Sequence, residues 1–421
     1  MTYHNAQKYI LNSPDDTDSS IHGNNLKKLW LLLGNPQRNI KYLRLAGSNG
    51  KTVCAEMLMS AYKDSAFTVG CLTTTLRSDL RNNILINGSP LSYEEIAKYV
   101  EKIYRIAYDK NRAEQSQNGE GGFVLTKQEI LLSTALLAFK DNNCSLCIVE
   151  SDHQHADPTV FLPPPFAVAI CGAIPCNNRE DIHMIRSYIC HGIQEIVSAP
   201  QDQDAYKIIS DTCASVNCRL TIPAKSELDI HKITLGGSEF TYKGEDYKIS
   251  LCGKFQISNA IFVLELLDRL AVRGYEISDK RIKESLKNTR ISAKFEVLSI
   301  MPTIIADSTH SDVAISTVCE SMSEFRDIIG SKIRLCLPDG AIVDKYMEVL
   351  SDQNYDIQKI VIAVNNSTEI PRDERFIYCK KKKELINRML EGLEKDEILL
   401  ISGPSAFTLD VRYELLARMG F

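Results

Sequence analysis

A glycine-rich bend followed by lysine and threonine contains the residues best suited to chemistry: Gly47, Gly50, Lys51 and Thr52. An apolar run typical of a buried parallel strand precedes the bend, and a helical pattern follows it. Glycines let backbone N–H groups approach phosphate oxygens, and a helix start adds partial positive charge. The lysine is expected to reach β- and γ-phosphates, and the threonine hydroxyl to ligate Mg²⁺. The pattern therefore predicts a triphosphate site.

The bend has a shortened form, Gly-x-x-Gly-Lys-Thr, with Ser48 and Asn49 between its glycines. The alternative is an ordinary strand–helix turn with a chance Gly-Lys-Thr. Because strand, bend and helix follow in the order that the motif needs, we favour phosphate binding. A second apolar strand, predicted at 145–150, ends in Glu150, the usual place for a carboxylate that faces Mg²⁺. Thr52 and Glu150 are thus the predicted metal ligands.

Composition limits the classes of protein that the chain could represent. Its 421 residues are enough for two or three domains, and 44% hydrophobic with 24% charged residues is typical of globular proteins. A net charge of -5 argues against nucleic-acid binding, and the basic run 380–383 is interpreted as a solvated turn. The sequence shows no long apolar run and no signal-peptide core, so we expect a cytoplasmic protein without a membrane segment.

The thirteen cysteines are interpreted as reduced thiols, mostly buried. Cys144 and Cys147 form a C-x-x-C that lies in the predicted strand. A step of three residues along a strand places side chains on opposite faces. We therefore expect this pair to pack in the core and to have no redox chemistry.

Alternating strand and helix patterns predict an α/β protein. A second strand–helix series starts near residue 296, which predicts a central domain over 1–292 and a C-terminal domain over 293–421. The polar segment 109–122 is predicted to be a surface loop. Alternation over 225–250 predicts a β-hairpin.

Four short segments together resemble folylpolyglutamate synthase, an ATP-dependent acid–amino-acid ligase of the Mur ligase family. They read LGNPQ at 33–37, AGSNGK at 46–51, FEVL at 295–298 and ADSTH at 306–310. The resemblance extends from about residue 20 to the end of the chain. It implies a P-loop-containing central domain with a mostly parallel sheet, plus a C-terminal Rossmann-like α/β domain.

The resemblance also implies a reaction. ATP would phosphorylate a folate-like acid such as tetrahydrofolate, and the amine of glutamate would attack the acyl phosphate, in a monomeric enzyme of one-carbon metabolism. The resemblance implies that the bend from Gly47 through Ser48, Asn49 and Gly50 to Lys51 and Thr52 binds ATP. It assigns further nucleotide contacts to Asn259, Lys294, Asp307 and His310. Lys51, Glu150 and His310 are the candidate catalytic residues, with ATP and Mg²⁺ required.

The chain departs from the family pattern at the second metal and at the acid-binding loop. Cys176 stands where the family has a metal-binding His, and Cys190 where it has a commonly carbamylated Lys. Thiols are poor Mg²⁺ ligands. Lys294 replaces an arginine, and 151–158 replaces a glycine-rich loop. The family's Thr-Ser-Pro-His-Leu segment corresponds to residues 73–77, where this chain has no His.

These departures leave alternatives open. The chain could be a catalytically impaired nucleotide-binding homologue that acts through a partner protein, or a ligase for a different acid. An unrelated P-loop enzyme is a further alternative. Zinc at Cys176, His183, Cys190 and His191 is another, although that spacing fits no common zinc pattern.

Overall fold

The computed structural model describes residues 1–15, 23–74, 76–77, 79–118, 122–151, 157–174, 176, 178–309, 311–338, 342–363 and 375–419. The chain divides into two compact units, Met1–Pro223 with Ile261–Ile282, and Ala224–Ala260 with Lys283–Phe421. This division differs from the boundary expected after residue 292, because residues 224–260 group with the second unit. The 1–292 and 293–421 domains stay a prediction.

The first unit alternates strands and helices after two N-terminal helices. Its elements are α1 (Tyr3–Asn12), α2 (Asn24–Leu32), β1 (Tyr42–Gly47), α3 (Lys51–Tyr62), β2 (Val69–Leu72), β3 (Ile84–Ile86), β4 (Ser89–Pro90), α4 (Tyr93–Asn118), α5 (Lys127–Asp141), β5 (Leu146–Glu150), β6 (Ala167–Cys171), α6 (Arg179–Tyr188), β7 (Glu195–Ser198), α7 (Gln203–Val216) and β8 (Arg219–Thr221). Short 3₁₀ turns cover Pro36–Asn39, Leu80–Asn83 and Pro158–Phe161.

These strands form one eight-stranded sheet in the order β4-β3-β2-β5-β1-β6-β7-β8. The six strands from β2 to β8 in that order are parallel, and only β3 and β4 run antiparallel to their neighbours. All residues of β1, β5 and β6 are buried, as expected for strands that helices cover on both faces. The mostly parallel sheet predicted for the part of the chain that contains the glycine-rich bend is confirmed.

The second unit combines a small antiparallel sheet with a second α/β layer. Its elements are β9 (Leu228–Thr234), β10 (Gly237–Tyr242), β11 (Glu245–Ile249), β12 (Glu296–Ile300), β13 (Thr303–Asp307), α10 (Asp312–Ser323), α11 (Arg326–Ile329), β14 (Lys332–Pro338), α12 (Ile342–Asp352), β15 (Asp356–Ala363), β16 (Phe376–Cys379), α13 (Lys382–Leu390), β17 (Glu397–Ser402) and α14 (Ser405–Met419). A 3₁₀ turn covers Lys225–Glu227. Two of the three boundaries between the units lie within α8 (Lys254–Val272) and α9 (Asp279–Asn288), and the third follows Pro223.

The larger sheet of this unit has the order β12-β13-β17-β14-β15-β16. All its neighbours are parallel except β12, which pairs antiparallel with β13. Apolar clusters fill both sides of the sheet, one around Ile305, Leu335 and Tyr346 and the other around Cys336, Ile386 and Leu399. This arrangement confirms the predicted Rossmann-like C-terminal fold.

One local prediction needs correction and another is confirmed. The segment 109–122 is not a loop throughout, because α4 continues to Asn118. Its lysine, arginine, glutamate and glutamine residues are good helix formers, and polarity alone does not end a helix. The hairpin predicted over 225–250 is confirmed, because β9 and β10 pair antiparallel across a short turn, and β11 adds a third strand in the order β11-β10-β9. Among the described residues, no helix is long and apolar enough to cross a membrane.

Candidate functional site

The bend between β1 and α3 is held in shape by close backbone packing. Gly47 has a φ of +104° and Gly50 a φ of +84°. A Cβ on Gly47 would lie 2.1 Å from the carbonyl oxygen of Cys171, at the end of the adjacent strand. Gly172, with a φ of +68°, approaches in turn the backbone of Asn49, whose carbonyl oxygen would lie 2.9 Å from an added Cβ. Only glycine fits both positions without strain.

Polar side chains of the bend fold onto neighbouring carbonyl groups. The Lys51 ammonium donates to the Gly47 carbonyl over 2.7 Å, so its charge lies across the bend. The Ser48 hydroxyl donates to the Ala173 carbonyl. Thr52 is half-buried in the first turn of α3. The bend thus presents an ammonium group and a helix N-terminus together, an arrangement suited to an anion.

Glu150 ends β5 directly beside the strand that leads into the bend. It pairs with Leu45 across the parallel ladder. Its side chain is 0% exposed, and Oε2 accepts the backbone N–H of Thr74 over 3.1 Å. Its Oε1 is buried and has no hydrogen-bond partner among the described residues. A buried carboxylate oxygen needs a partner, and Mg²⁺ prefers such oxygens, so Glu150 fits a metal ligand.

Buried thiols surround the inner side of this site. A hydrogen bond with Cys171, together with burial, raises the pKa of Cys54 well above its usual value. Burial, with the nearby Glu150, does the same to the pKa of Cys71. Thiols held neutral in this way are weak nucleophiles. The chemistry of the site therefore depends on its oxygens and its ammonium group.

A hydrogen-bonded cluster fixes the chain immediately after Glu150. The Asp157 carboxylate accepts from the hydroxyl of Ser151 and, over 2.7 Å, from the hydroxyl of Thr159. Burial raises the pKa of Asp157. Arg44, 4% exposed in β1, donates to the Thr159 carbonyl over 2.8 Å. The cluster ties the segment after the candidate metal ligand to the strand before the bend.

Sequence reasoning missed both Arg44 and Thr74 as parts of this site. An arginine inside an otherwise apolar strand run is a readable signal, because a buried guanidinium needs acceptors from another segment. Thr74 acts through its backbone N–H, and a backbone contact leaves no signal in side-chain type.

In the second unit, a chain of hydrogen bonds connects residues that were predicted to contact the nucleotide. Asn259 donates to the side-chain oxygen of Gln256 over 3.1 Å. Gln256, fully buried, donates to the Lys294 carbonyl over 3.3 Å. The Lys294 ammonium donates to the carbonyl of Ser308, also over 3.3 Å. The structure thus places Asn259 and Lys294 in one cluster, and their nucleotide-binding roles stay predictions.

Asp307 belongs to the same cluster and is buried. Its Oδ2 accepts the Phe295 N–H over 2.6 Å, and its Oδ1 accepts the Thr309 hydroxyl. Burial raises the pKa of Asp307, and the Lys294 charge partly opposes that shift. Both carboxylate oxygens therefore have partners within the unit. Its predicted nucleotide contact stays a prediction, and His310 lies outside the described residues.

The cysteines at the departing positions pack against apolar side chains. Cys176 and Cys190 both lie against the apolar cluster around Ile170 and Ile185. Burial raises the pKa of Cys176. In the described part of the chain, no group of three or more His, Cys, Asp and Glu residues is arranged to hold a metal. The zinc alternative, whose residues include His183 and His191, therefore has no support.

The segment 151–158, which replaces the family's glycine-rich loop, contains His153 and His155 outside the described residues. Its Asp157 belongs to the cluster given above. Pro175, which precedes Cys176, also lies outside the described residues.

Gly47→Ala is expected to distort the bend. The φ of +104° strains any L side chain, and the new Cβ would overlap the Cys171 backbone at 2.1 Å. We expect a loss of about 1–3 kcal/mol in unfolding free energy and of at least about tenfold in ATP affinity, or ~1.4 kcal/mol. Urea unfolding and ATP titration measure the two effects.

Gly88→Ala is the matched control for backbone strain without overlap. Gly88 has a φ of +78° and nothing within 4 Å of an added Cβ. It should cost about 1–2 kcal/mol of stability from the left-handed backbone alone and leave ATP affinity unchanged. Equal ATP affinity in both variants would contradict a phosphate-binding role for the bend.

The comparisons with known proteins agree with this geometry. No protein-family model matches the chain. A dihydrofolate synthase/folylpolyglutamate synthase of Bacillus subtilis is 23% identical over 443 residues, covering 95% of this chain and 98% of the relative. The folylpolyglutamate synthase structure from Thermotoga maritima has a TM-score of 0.78 and 19% identity, covering 99% of this chain and 97% of that one. An FPGS–AMPPCP–folate complex has a TM-score of 0.81 and 19% identity, covering 99% and 100%. The resemblance noted in the sequence is confirmed, as is the fold.

Proposed function

We propose, from this resemblance in sequence and fold to folylpolyglutamate synthases, that the chain is an ATP-dependent acid–amino-acid ligase. It joins glutamate to a folate-like acid such as tetrahydrofolate. The relatives' names describe this reaction or the closely related synthesis of dihydrofolate. One solved neighbour holds AMPPCP, an analogue of ATP, together with folate.

One observation supports the proposal most strongly: the bend and a buried acid occupy neighbouring strand ends. The ammonium of Lys51 lies on the Gly47 carbonyl, and Glu150 closes the adjacent strand with an unpartnered oxygen among the described residues. Ligands of open α/β sheets bind outside the carboxyl ends of parallel strands. A triphosphate and its metal therefore have complementary groups at this edge.

The residues of the bend would act by position and charge. Backbone N–H groups of the bend and the Lys51 ammonium would neutralise the β- and γ-phosphates as the acid attacks the γ-phosphorus. Thr52 and Glu150 would hold Mg²⁺, which supplies additional neutralisation of phosphate charge. The acid carboxylate would gain the phosphoryl group and ADP would leave. The glutamate amine would then displace phosphate to form the amide.

The substrates are inferred to be small molecules, with no nucleic acid and no membrane involved. Residues 73–90 and 151–165 follow β2 and β5, which are neighbouring strands on one side of β1, and are proposed to line the acid site. The monomeric state and the cytoplasmic location remain predictions.

A second candidate function has one observation in its favour. Cys176 and Cys190, at positions where the family has metal-site residues, pack against an apolar cluster and join no metal-binding group among the described residues. A nucleotide-binding homologue without ligase activity would tolerate this loss. A ligase for a different acid would also tolerate the replaced loop.

Phosphate release tests the proposal directly. Purified protein is given ATP, Mg²⁺ and glutamate with tetrahydrofolate, or with dihydropteroate, the acid that glutamate converts to dihydrofolate. We expect phosphate release that needs both acid and glutamate and is matched by the amide product in mass spectrometry.

The controls separate the alternatives. Phosphate release that does not exceed that of Lys51→Ala, with ATP still bound to the unsubstituted protein, would favour the homologue that acts through a partner. ATP turnover that depends on Lys51 but yields no amide with either acid would indicate a different acid. Absence of ATP binding would overturn the proposal and both of these alternatives.

A further inference from the structure

The two cysteines of the C-x-x-C do not lie on opposite faces of a strand. β5 begins at Leu146, so Cys144 precedes the strand and is free of its alternation. Asn143 turns the chain with a φ of +51°, and the Cys144 N–H donates to the carbonyl of Phe139, in the last turn of α5. Both thiols pack against the same apolar cluster, around Phe139 and Leu136, and the interaction with Cys147 is the main influence on the pKa of Cys144. The expected separation is therefore wrong.

The environments of the two thiols differ in a useful direction. Cys144 is half-buried and lies between the exposed Asn143 and Ser145, whereas Cys147 is 0% exposed. The hydrogen bond from Cys147 lowers the pKa of Cys144. The interaction with Cys144, together with burial, raises the pKa of Cys147. The Cys144 thiol is therefore partly accessible and has a lowered pKa, whereas the Cys147 thiol is buried in the core.

We propose that Cys144 and Cys147 form a reversible oxidation site, in which hydroperoxides convert the two thiols to an intramolecular disulfide. An accessible thiol beside a resolving thiol is the arrangement found at redox-sensitive cysteines. The inference is independent of the ligase reaction.

The proposed oxidation requires only the two thiols and one hydroperoxide. The Cys144 thiolate attacks one peroxide oxygen, an S–O bond forms and the O–O bond breaks. The other peroxide oxygen leaves and is protonated, as water from hydrogen peroxide or as an alcohol from an organic hydroperoxide. The Cys147 sulfur then attacks the sulfenic sulfur, the S–S bond forms, and the S–O oxygen leaves as water with the Cys147 proton. Two thiols lose two electrons to one hydroperoxide, and a dithiol reductant reverses the change.

Two other thiol contacts among the described residues lack this combination. Cys54 and Cys171 touch, but they are 0% and 1% exposed. Cys213 and Cys218 also touch, and burial raises the pKa of both, that of Cys213 to about 12. Accessibility and a lowered pKa coincide only at Cys144 among these three contacts.

The proposed site is also separate from the phosphate site. Cys147 precedes Glu150 by three residues on one strand, a distance of about 10 Å. The C-x-x-C therefore lies toward the start of β5, and the candidate metal ligand ends it.

Peptide mapping of the full-length protein tests the inference. Reduced protein is treated with hydrogen peroxide, the remaining thiols are alkylated, and glutamyl endopeptidase releases the peptide 130–150, whose only cysteines are Cys144 and Cys147. We expect the mass of this peptide to fall by two hydrogen atoms and the peptide to carry no alkyl group. The hydrogen peroxide dose is one that oxidises glutathione present at the same concentration as the protein. Dithiothreitol should restore two alkylated thiols.

Three variants make the outcome decisive. Cys144→Ser should abolish the disulfide, and Cys147→Ala should leave a sulfenic acid at Cys144 that dimedone traps. Cys218→Ser, the matched control in another contacting pair, should retain the disulfide. Two alkylated thiols in oxidised, folded wild-type protein, or Cys144 joined to a different cysteine, would overturn the inference. Because Cys147 is buried, circular dichroism checks that its variant folds.

Discussion

Lys51→Ala is expected to reduce ATP turnover by about 10²–10³-fold, or ~3–4 kcal/mol, the range for loss of one donor that stabilises transition-state charge. The ammonium lies over the bend on the Gly47 carbonyl, and no other described ammonium group is hydrogen-bonded to the bend. Its removal leaves the developing phosphate charge without its cation. Steady-state phosphate release, with ATP and any accepted acid at saturation, measures the loss.

The control for Lys51 is Lys63→Ala, which removes a lysine just after the other end of the same helix. Lys63 is exposed and caps α3 through its backbone. That variant should keep turnover within about twofold, since surface changes seldom exceed ±0.5 kcal/mol. Unfolding curves should overlay for both variants. Unchanged turnover in Lys51→Ala would show that the bend does not bind the reacting phosphates.

Glu150→Gln is expected to shift the Mg²⁺ requirement of turnover. The amide keeps the size of the side chain and an oxygen for the Thr74 N–H, which lies 3.1 Å from Oε2. It removes the negative charge that a hard cation needs, so we expect about 10²-fold slower turnover and at least about a tenfold higher half-saturating Mg²⁺ concentration, or ~1.4 kcal/mol. Titration of turnover with Mg²⁺ at fixed ATP gives both quantities.

Glu195→Gln is the matched control. Glu195 is a buried carboxylate of the same sheet, it also has a buried oxygen without a partner among the described residues, and it begins β7 beside Arg273. Its position at the start of a parallel strand puts it at the opposite edge from the bend. Its substitution can affect stability and should leave the Mg²⁺ titration unchanged. A titration that responds to Glu195 and not to Glu150 would refute the metal assignment.

Local patterns in the chain were sufficient for several elements. Thr126 and Glu129 form a capping box at the start of α5, because each side chain satisfies a backbone N–H within three residues. Glu150 ends a buried strand, and Asp307 ends another, as their apolar runs predict. Hydrophobic periodicity is less informative in polar segments. The sequence therefore did not predict that α4 continues from residue 109 to Asn118.

Contacts between distant segments could not be read from the sequence. The overlap that excludes a side chain at Gly47 comes from Cys171, and the hydrogen bond to Glu150 comes from Thr74. That Cys144 and Cys147 pack against the same apolar cluster depends on a strand that begins at Leu146. Sequence patterns locate a strand end only to within about two to four residues, so they did not show that Cys144 lies outside the strand.

Glycine spacing, helix starts and apolar runs are local properties, and they were enough to predict the glycine-rich bend, the acid that ends a neighbouring strand and the α/β class. The sequence could not show that Glu150 has an oxygen without a partner among the described residues, that Cys176 and Cys190 pack with apolar side chains, or that Asp307 has partners for both oxygens. Burial and hydrogen-bond satisfaction depend on which distant segments meet, and that is fixed by packing of the whole unit.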